Sequence, residues 1–448
     1  MSISKRLCEF IMETNLGDIP PETITFTKEL ALKTVAGMLA GSITSAGRKI
    51  TNFIRSQGGP AEACMIGCGF RTSVENAALG NGIFAHAAEL EDDQFPSAAS
   101  DITVFPVIFP LADKLRLTGR EIIEASAIAI EVMNRAGMFS LAHKGITDLP
   151  FYGILGATAA AARILGLRAQ EIHSALGIAI GRAGGFIVNF GTDAHYFESA
   201  IACRDGLLAA LWAKDGMTGN GDIEKWLTAL FGPGAVNLDK ITENLGKPPW
   251  HVHNLWIKKY PCCFLTHRQI DGTTALFKEN NLAYPSIERI DLDVGPVDAT
   301  CDRPDPKDIE DSRFSFQHIL GGLILEGGLS YDTFTKDKIF DSSFKEARSK
   351  IKVHVHNDWP AQFQSGVAKI KITQKGGRVF TKEMEQPLGG TKLPLSADQF
   401  KELYKKYAKG ILDEEQQEWT ANIILNLEQY KDLQEFMDVL TYRYAVRR

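Results

Sequence analysis

The feature that most constrains the fold is a change of hydrophobic periodicity part-way along the chain. Before residue 256 the apolar positions recur mainly at helical spacing, as in the amphipathic stretch 24–40. Beyond it they alternate as in strands at 290–294, 351–355 and 367–372, and the last of these leads through Lys375-Gly376-Gly377 into a hairpin. A helical pattern returns from Ser396. With 448 residues the chain exceeds one ordinary core, so we expect two or three domains.

The segment Trp256–Asp271 lies at this change and gathers cationic side chains and two thiols around one proline. Its cations are Lys258, Lys259, His267 and Arg268. Pro261 favours an extended Tyr260, and a helix is predicted from Thr266 onward. Cations beside a helix start suit an anionic ligand, and clefts between domains are favoured places for small-molecule sites. We therefore predict that this segment helps to bind an acidic small molecule.

Charge and composition exclude several classes of partner. The formal net charge of -6 gives no basic excess, so nucleic acid and anionic membranes are not expected as main partners. The N-terminus has no signal-peptide core, and no stretch approaches the roughly 18 apolar residues of a membrane helix. The seven scattered cysteines fit neither a disulfide framework nor paired zinc knuckles. We expect a cytoplasmic protein with reduced thiols.

Other local signals predict structure more than chemistry. A capping box, Thr118 to Glu121, opens a helix that should be buried, and the small residues of 153–162 predict a central helix. The acidic run Glu89–Asp93 is typical of a solvated helix end. The glycine clusters lack the spacing of a phosphate loop. His354-Val355-His356 has no evident third ligand, so we predict no metal site there.

Six stretches carry a resemblance to a known family and together span nearly the whole chain. They are Asn81–His86 with the acidic run after it, Thr118-Gly119 with Glu131–Gly137, Gly153–Leu167, Gly191–Gly206, Lys258–Asp271 and Phe314–Phe316. In this order and spacing they resemble the MmgE/PrpD family, which includes 2-methylcitrate dehydratase, cis-aconitate decarboxylase and iminodisuccinate epimerase.

The resemblance implies a two-domain fold and a class of reaction. We expect a large all-α domain built from both chain ends, residues 1–267 and 400–448, and a smaller α+β lid domain, residues 268–399. It further implies a homodimer that acts on a small di- or tricarboxylate, at carbon next to a carboxylate. Neither a metal nor another cofactor is expected.

Several positions depart from the dehydratase and decarboxylase branch of that family. Ala99 and Thr147 stand where that branch has histidines, His195 where it has a lysine, and His318 where it has a tyrosine. Asp93 replaces a threonine, whereas Glu89, Lys258 and His267 are kept. The resemblance therefore leaves the reaction open.

Abstraction of a proton beside a carboxylate needs a base with a pKa near neutrality and cations that hold the carboxylates. His195 and Lys258 are the predicted bases, and Tyr152 is a predicted acid for the other face. The predicted substrate-binding residues are His86, Glu89, Asp93, Arg182, Lys259, His267, Arg268 and His318. Each has a plainer alternative: the histidines and Tyr152 could be core residues, and the two lysines an exposed pair.

Our leading interpretation is a cofactor-independent epimerase of a small dicarboxylate such as iminodisuccinate. Epimerisation has no leaving group to protonate, which suits a site that lacks two histidines. The alternative is a lyase, like 2-methylcitrate dehydratase or cis-aconitate decarboxylase, on a citrate-type acid. The third is a non-catalytic binding protein, since a fold alone does not assign a function.

Overall fold

The computed structural model describes residues 2–97 and 99–442 and divides them into two compact units. The first unit, here the helical unit, contains the chain up to Leu255 and again from Ser396. The second, here the α+β unit, is Trp256–Leu395. The predicted fold class is confirmed: both ends of the chain form a large helical unit, and the middle forms a smaller α+β unit. The boundaries predicted from sequence lie at 267 and 399.

The helices follow one another in chain order. The helical unit begins with α1 (Ile3–Glu13), α2 (Pro21–Ser42), α3 (Ser45–Gln57), α4 (Val74–Ala87), α5 (Phe105–Leu115), α6 (Gly119–Ala136), α7 (Asp148–Ile164), α8 (Ala169–Ile180), α9 (Asp193–Lys214) and α10 (Ile223–Phe231). The α+β unit contains α11 (His267–Glu279), α12 (Ile309–Arg313), α13 (Phe316–Glu326), α14 (Lys336–Phe340) and α15 (Ser342–Ser349). The chain then returns to the helical unit with α16 (Ala397–Ala408), α17 (Glu414–Leu425) and α18 (Gln434–Tyr442).

The strands are short in the helical unit and longer in the α+β unit. They are β1 (Ala63–Cys64), β2 (Arg71–Thr72), β3 (Asp93–Gln94), β4 (Ala99–Ser100), β5 (Leu255–Trp256), β6 (Ile287–Val294), β7 (Ile351–Val355), β8 (Ala368–Gln374) and β9 (Val379–Met384). The last four form one sheet in the order β7-β6-β8-β9, in which only the β6–β7 pair is parallel. The predicted strands and the predicted hairpin at Gly376-Gly377 are confirmed.

Close packing at glycine places three helices of the helical unit, α4, α7 and α9. A β-carbon at Gly82 in α4 would lie 2.8 Å from Cα of Ala200 in α9, and one at Gly206 in α9 would lie 2.9 Å from the carbonyl oxygen of Ile154 in α7. Contacts this short are possible only without a side chain. The predicted central helix 153–162 is thus the buried middle of α7, and α9 crosses both α7 and α4.

Local signals and burial explain the other main elements. The predicted capping box is confirmed, since Thr118 Oγ1 accepts from the Glu121 N–H and Glu121 accepts from the Thr118 N–H. In the α+β unit, alternate residues of β8 such as Ile370 and Ile372 point into a core that Phe316 of α13 also enters. Among the described residues we find no helix long and apolar enough to cross a membrane.

Candidate active site

The crossing of α4 and α9 brings the first candidate residues together. One helical turn after Gly82, the Nδ1 atom of His86 lies 2.9 Å from Oγ of Ser199, the residue before Ala200. The imidazoles of His86 and His195 meet edge to face, with their ring centroids 4.4 Å apart. His86 is fully buried and His195 is 7% exposed. The absence of a side chain at Gly82 therefore allows two histidines from different helices to touch in the interior.

Glu89 joins this pair through an unusual turn at the end of α4. Its φ of 52° is left-handed, a conformation that costs a residue with a side chain about 1 to 3 kcal/mol. The turn directs a carboxylate that is only 2% exposed toward the imidazoles. Donor atoms of His86, Glu89 and His195 all lie within 4.8 Å of one another. We call these three residues the histidine–carboxylate cluster.

The hydrogen bonds of Ser199 fix the tautomer of His86. The Ser199 hydroxyl donates to the carbonyl oxygen of Tyr196 at 2.9 Å, and a carbonyl can only accept. The same oxygen must then accept from His86, so Nδ1 of a neutral His86 carries the proton. Nε2 is consequently the basic nitrogen of this ring. The assignment follows from the network of donors and acceptors.

Glu198 supports the second imidazole. Its Oε2 atom lies 3.8 Å from Nδ1 of His195, while Oε1 accepts from the N–H of Phe186 and from the side-chain amide of Asn189. Burial acts to raise the pKa of Glu198, but the neighbouring His195 and the hydrogen bonds from Asn189 and Phe186 hold it below its ordinary value. Glu198 is therefore an anion beside His195. The ring of Phe190 covers the imidazole, with centroids 4.5 Å apart.

The acidic run is buried, so the prediction of a solvated helix end is wrong. Glu89, Glu91, Asp92 and Asp93 are all less than 8% exposed. Asp92 forms an ion pair with the buried Lys33 of α2, and Asp93 lies in β3, paired with β4. Burial is the main cause that raises the pKa of the nearby Asp101, which accepts a hydrogen bond from Thr34. The run belongs to an interior network of charges rather than to the surface.

The other two predicted residues of the helical unit lie outside this cluster's hydrogen bonds. The Tyr152 hydroxyl donates to the carbonyl of Phe139 at 2.6 Å, and its ring packs against Phe151 and Trp226. Burial raises its pKa, which favours a structural role over that of an acid. Arg182 is 57% exposed in its side chain and donates to Asp205.

In the α+β unit, the predicted lysines are buried rather than exposed, as Lys258 and Lys259 are 1% and 9% exposed. The ammonium of Lys259 and the hydroxyl of Tyr260 both donate to Oδ1 of Asp271, at 2.6 and 2.8 Å. Desolvation lowers the pKa of Lys259, and Asp271 opposes that shift. His267 is fully buried and stacks on the ring of Phe264.

Two further predicted substrate-binding residues lie in the core of the α+β unit and already have protein partners. Arg268 was expected to bind a substrate carboxylate, but its fully buried guanidinium already binds Asp298 through two oxygens at 3.1 and 3.0 Å. It also donates to the carbonyl of Phe363. His318 was expected near the substrate, but Nε2 donates to the carbonyl of Thr333 in the core, and desolvation lowers its pKa to about 4. Both side chains are thus held by partners within this unit, and their predicted roles in substrate binding stay predictions.

The histidine pair and the adjacent cysteines noted in the sequence both lie in the α+β unit. His354 and His356 lie on β7, where Nε2 of each pairs with a carboxylate of β6, Asp291 and Asp293 respectively. Both histidines are at the surface, with side chains 53% and 37% exposed. The adjacent Cys262 and Cys263 are both buried, and neither forms a disulfide.

Sequence reasoning missed Ser199, Glu198 and Asp271 as supporting residues. On α9, Ser199 lies four residues after His195, so the two share one helical face. That spacing was readable from the sequence. The contact of Ser199 with His86 was not, because 113 residues separate them.

Comparison with known proteins gives matches in both units. A model of the MmgE/PrpD N-terminal domain matches residues 5–229, and a model of the MmgE/PrpD C-terminal domain matches residues 260–429. The chain is 25% identical to a cis-aconitate decarboxylase of Mus musculus, over 96% of this chain and 92% of that protein. It is 26% identical to that of Homo sapiens, over 96% and 93%. It is 23% identical to a cis-aconitate decarboxylase of Aspergillus terreus, over 98% of this chain and 96% of that protein.

Proposed function

We propose that this chain, which belongs to the MmgE/PrpD family, is a lyase that removes carbon dioxide or water from a small polycarboxylic acid. The observation that carries the proposal is the contact between His86 and His195 beside the buried Glu89. A pair of imidazoles can hold and transfer one proton at neutral pH, which either elimination requires. The relatives support the lyase class, since those named above are decarboxylases and the match to this chain covers nearly their whole length.

Decarboxylation of an unsaturated tricarboxylate would use the cluster as an acid. The bond between carbon and the departing carboxylate breaks, carbon dioxide leaves, and the electron pair is delocalised onto the remaining unsaturated acid. A proton from an imidazolium then forms the new carbon–hydrogen bond. His195 is placed for this step, because its imidazole contacts that of His86 and lies 3.8 Å from the anionic Glu198.

Dehydration would use the same two rings in both roles. One imidazole takes the proton beside a carboxylate, and an imidazolium returns a proton to the departing hydroxyl. The tautomer set by Ser199 makes Nε2 the basic nitrogen of His86, and His195, beside Glu198, is placed for the second role.

The epimerase interpretation remains a second candidate. The two imidazoles that contact each other could exchange a proton with one carbon and no leaving group. It is now second because the named relatives are decarboxylases, whereas no observation of the cluster requires that the proton return to the opposite face.

Proton NMR in deuterated water separates these reactions. The purified protein is incubated with cis-aconitate, 2-methylcitrate, citrate and iminodisuccinate stereoisomers. We expect carbon dioxide release or a change in alkene signals with one of the first three acids, at a rate at least about 100-fold lower with H195Q. Exchange at an alpha carbon with loss of optical rotation and no alkene change would instead establish an epimerase. Binding of an acid without turnover would contradict both.

A further inference from the structure

We propose that His86, Glu89 and His195 form a binding site for Zn²⁺ or a similar borderline divalent ion, and that the bound ion inhibits the enzyme. The binding depends on the cluster alone. The inhibition rests on the proposed function, because it assumes that these side chains carry the reacting proton.

The donors form a recognised set of zinc ligands, two imidazoles and one carboxylate. Zinc binds such donors at about 2.0 to 2.2 Å, so they must approach one another to roughly 3 to 3.5 Å. In the structure they already lie within 4.8 Å of one another. Small rotations about the side-chain bonds would therefore close the set. Three protein ligands also leave the fourth zinc position for water, as in catalytic zinc sites.

The residues behind both histidines match the usual second layer of a metal site. A histidine ligand commonly donates its other N–H to a carboxylate, a carbonyl or water, which fixes the ring and its tautomer. Here Ser199 accepts from Nδ1 of His86 and donates its own hydrogen bond to the carbonyl of Tyr196. Glu198 faces Nδ1 of His195 at 3.8 Å and is itself held by the N–H of Phe186. In both rings the interaction is through Nδ1, which orients Nε2 for a ligand.

The donor types select the ion. Magnesium and calcium prefer sites made of oxygen ligands, whereas imidazole suits zinc, copper, iron and nickel. Burial strengthens the selection, since the three side chains are between 0 and 7% exposed and offer little room for a hydrated magnesium ion. Zn²⁺ is the commonest ion that such a set binds without a redox change.

A bound ion would block the proposed proton transfer at an imidazole nitrogen. It occupies the electron pair of the imidazole nitrogen that would otherwise accept or carry the proton. No covalent step follows, and removal of the ion by a chelator restores the proton carrier. The prediction is thus reversible inhibition by excess zinc and full turnover in the presence of EDTA.

The test uses the full chain, dialysed against EDTA and then freed of it, with Zn²⁺ titrated by calorimetry and Co²⁺ by its visible absorption. We expect one ion per chain at a site that H195Q and E89Q each weaken at least 100-fold. S199A should weaken it by about 10- to 100-fold, the usual cost of losing an outer partner. The matched control is the double variant H354Q/H356Q, which removes two surface histidines that also pair with carboxylates.

Three results would overturn the site. These are no saturable binding, equal affinity in the wild type and in both E89Q and H195Q, or loss of binding in the surface double variant alone. Thermal melts of the metal-free variants show which are folded, and the use of two ligand variants protects the test if one is not.

The outcomes for the metal site and for the proposed function are separable. Zinc binding that depends on His195, without turnover of any acid, supports the site and contradicts the lyase. Turnover that zinc leaves unchanged, without saturable binding, supports the lyase and contradicts the site. Turnover that zinc suppresses in the wild type and EDTA restores supports both.

Discussion

Both units bury histidine and charged side chains, but they use them differently. In the helical unit, His86 and His195 each interact through Nδ1 with a supporting group and contact each other beside Glu89. In the α+β unit, His318 is held at both ring nitrogens, by the carbonyl of Thr333 and by the guanidinium of Arg348. A candidate catalytic group is therefore distinguished by the geometry of its partners and not by burial.

Arg268 of the α+β unit is likewise a buried charged group that is held by protein partners. Arg268 gives its guanidinium to Asp298 and to backbone carbonyls, an arrangement that fixes the structure around it. Replacement of a whole buried pair by apolar groups is often neutral for stability, whereas removal of one partner leaves a costly buried charge. A sequence shows that an arginine is present near other cations, but it does not show that a carboxylate 30 residues later has already bound it.

The largest effect should follow loss of the proton carrier in the helical unit. H195Q should lower kcat by about 10²- to 10⁴-fold, the usual contribution of a positioned acid or base. The free energy of unfolding should change by less than about 1 kcal/mol, since glutamine preserves a polar side chain of similar size at this buried site. The measurement is the rate of product formation with whichever acid the NMR panel identifies.

The matched variant for that comparison is H318Q, in which a buried histidine of the α+β unit is replaced in the same way. It should retain kcat within a few-fold. If H318Q folds and loses turnover as H195Q does, the distinction between His195 as a proton carrier and His318 as a core residue is wrong.

Loss of Arg268 should have the largest effect on stability. R268M leaves Asp298 buried without its guanidinium, and breaking a buried pair in this way typically costs about 3 to 5 kcal/mol. Equilibrium unfolding in urea measures the loss. The double variant R268M/D298N removes the isolated charge and should recover a large part of it. An R268M protein as stable as the wild type would show that this ion pair does not fix the unit.

The fold was largely readable from the sequence because its signals are local. Strands β6 to β9, the hairpin at Gly376-Gly377 and the capping box at Thr118 depend on residues near one another in the chain. The acidic run was misread for the opposite reason. Its burial depends on Lys33, 59 residues before Asp92 in the chain. An isolated run of carboxylates carries no sign of such a distant cation.

The candidate site was readable only in part, for the same physical reason. The resemblance to the family identified His195 and Glu89, and burial of Lys258 and Lys259 agrees with a role beyond a surface loop. The support by Ser199 and the commitment of Arg268 to Asp298 are tertiary contacts. Residue type and spacing predict which groups are able to react, whereas only the packing decides which are held by other partners.

The pH dependence of stability sharpens the comparison at His318. Desolvation lowers its pKa to about 4 in the folded state, so between pH 6.5 and 4 the unfolded chain takes up a proton that the folded chain does not. Stability is thus present above pH 6.5 and is lost as the pH falls toward 4, by about 2 kcal/mol at pH 5. Glutamine can keep both hydrogen bonds of this ring but does not titrate.

Urea unfolding of the wild type and H318Q at pH 8 and pH 5 isolates this contribution. The loss of stability between the two pH values should be smaller in H318Q by about 1 to 2 kcal/mol. Other titrating groups are common to both proteins and cancel in the difference. An equal loss in both proteins would mean that His318 titrates normally and is not held as the structure indicates.

The smallest effect should come from Arg182, which tests whether an exposed arginine behaves like the buried Arg268. Its side chain is 57% exposed, and Asp205 also accepts a hydrogen bond from the neighbouring Arg204. R182A should therefore change the free energy of unfolding by less than about 1 kcal/mol. A role in binding a substrate carboxylate would appear instead as a raised KM with kcat unchanged, because uniform binding is lost without any change in the chemical step. If neither stability nor KM changes, Arg182 is a solvated surface residue, and its predicted role in substrate binding is wrong.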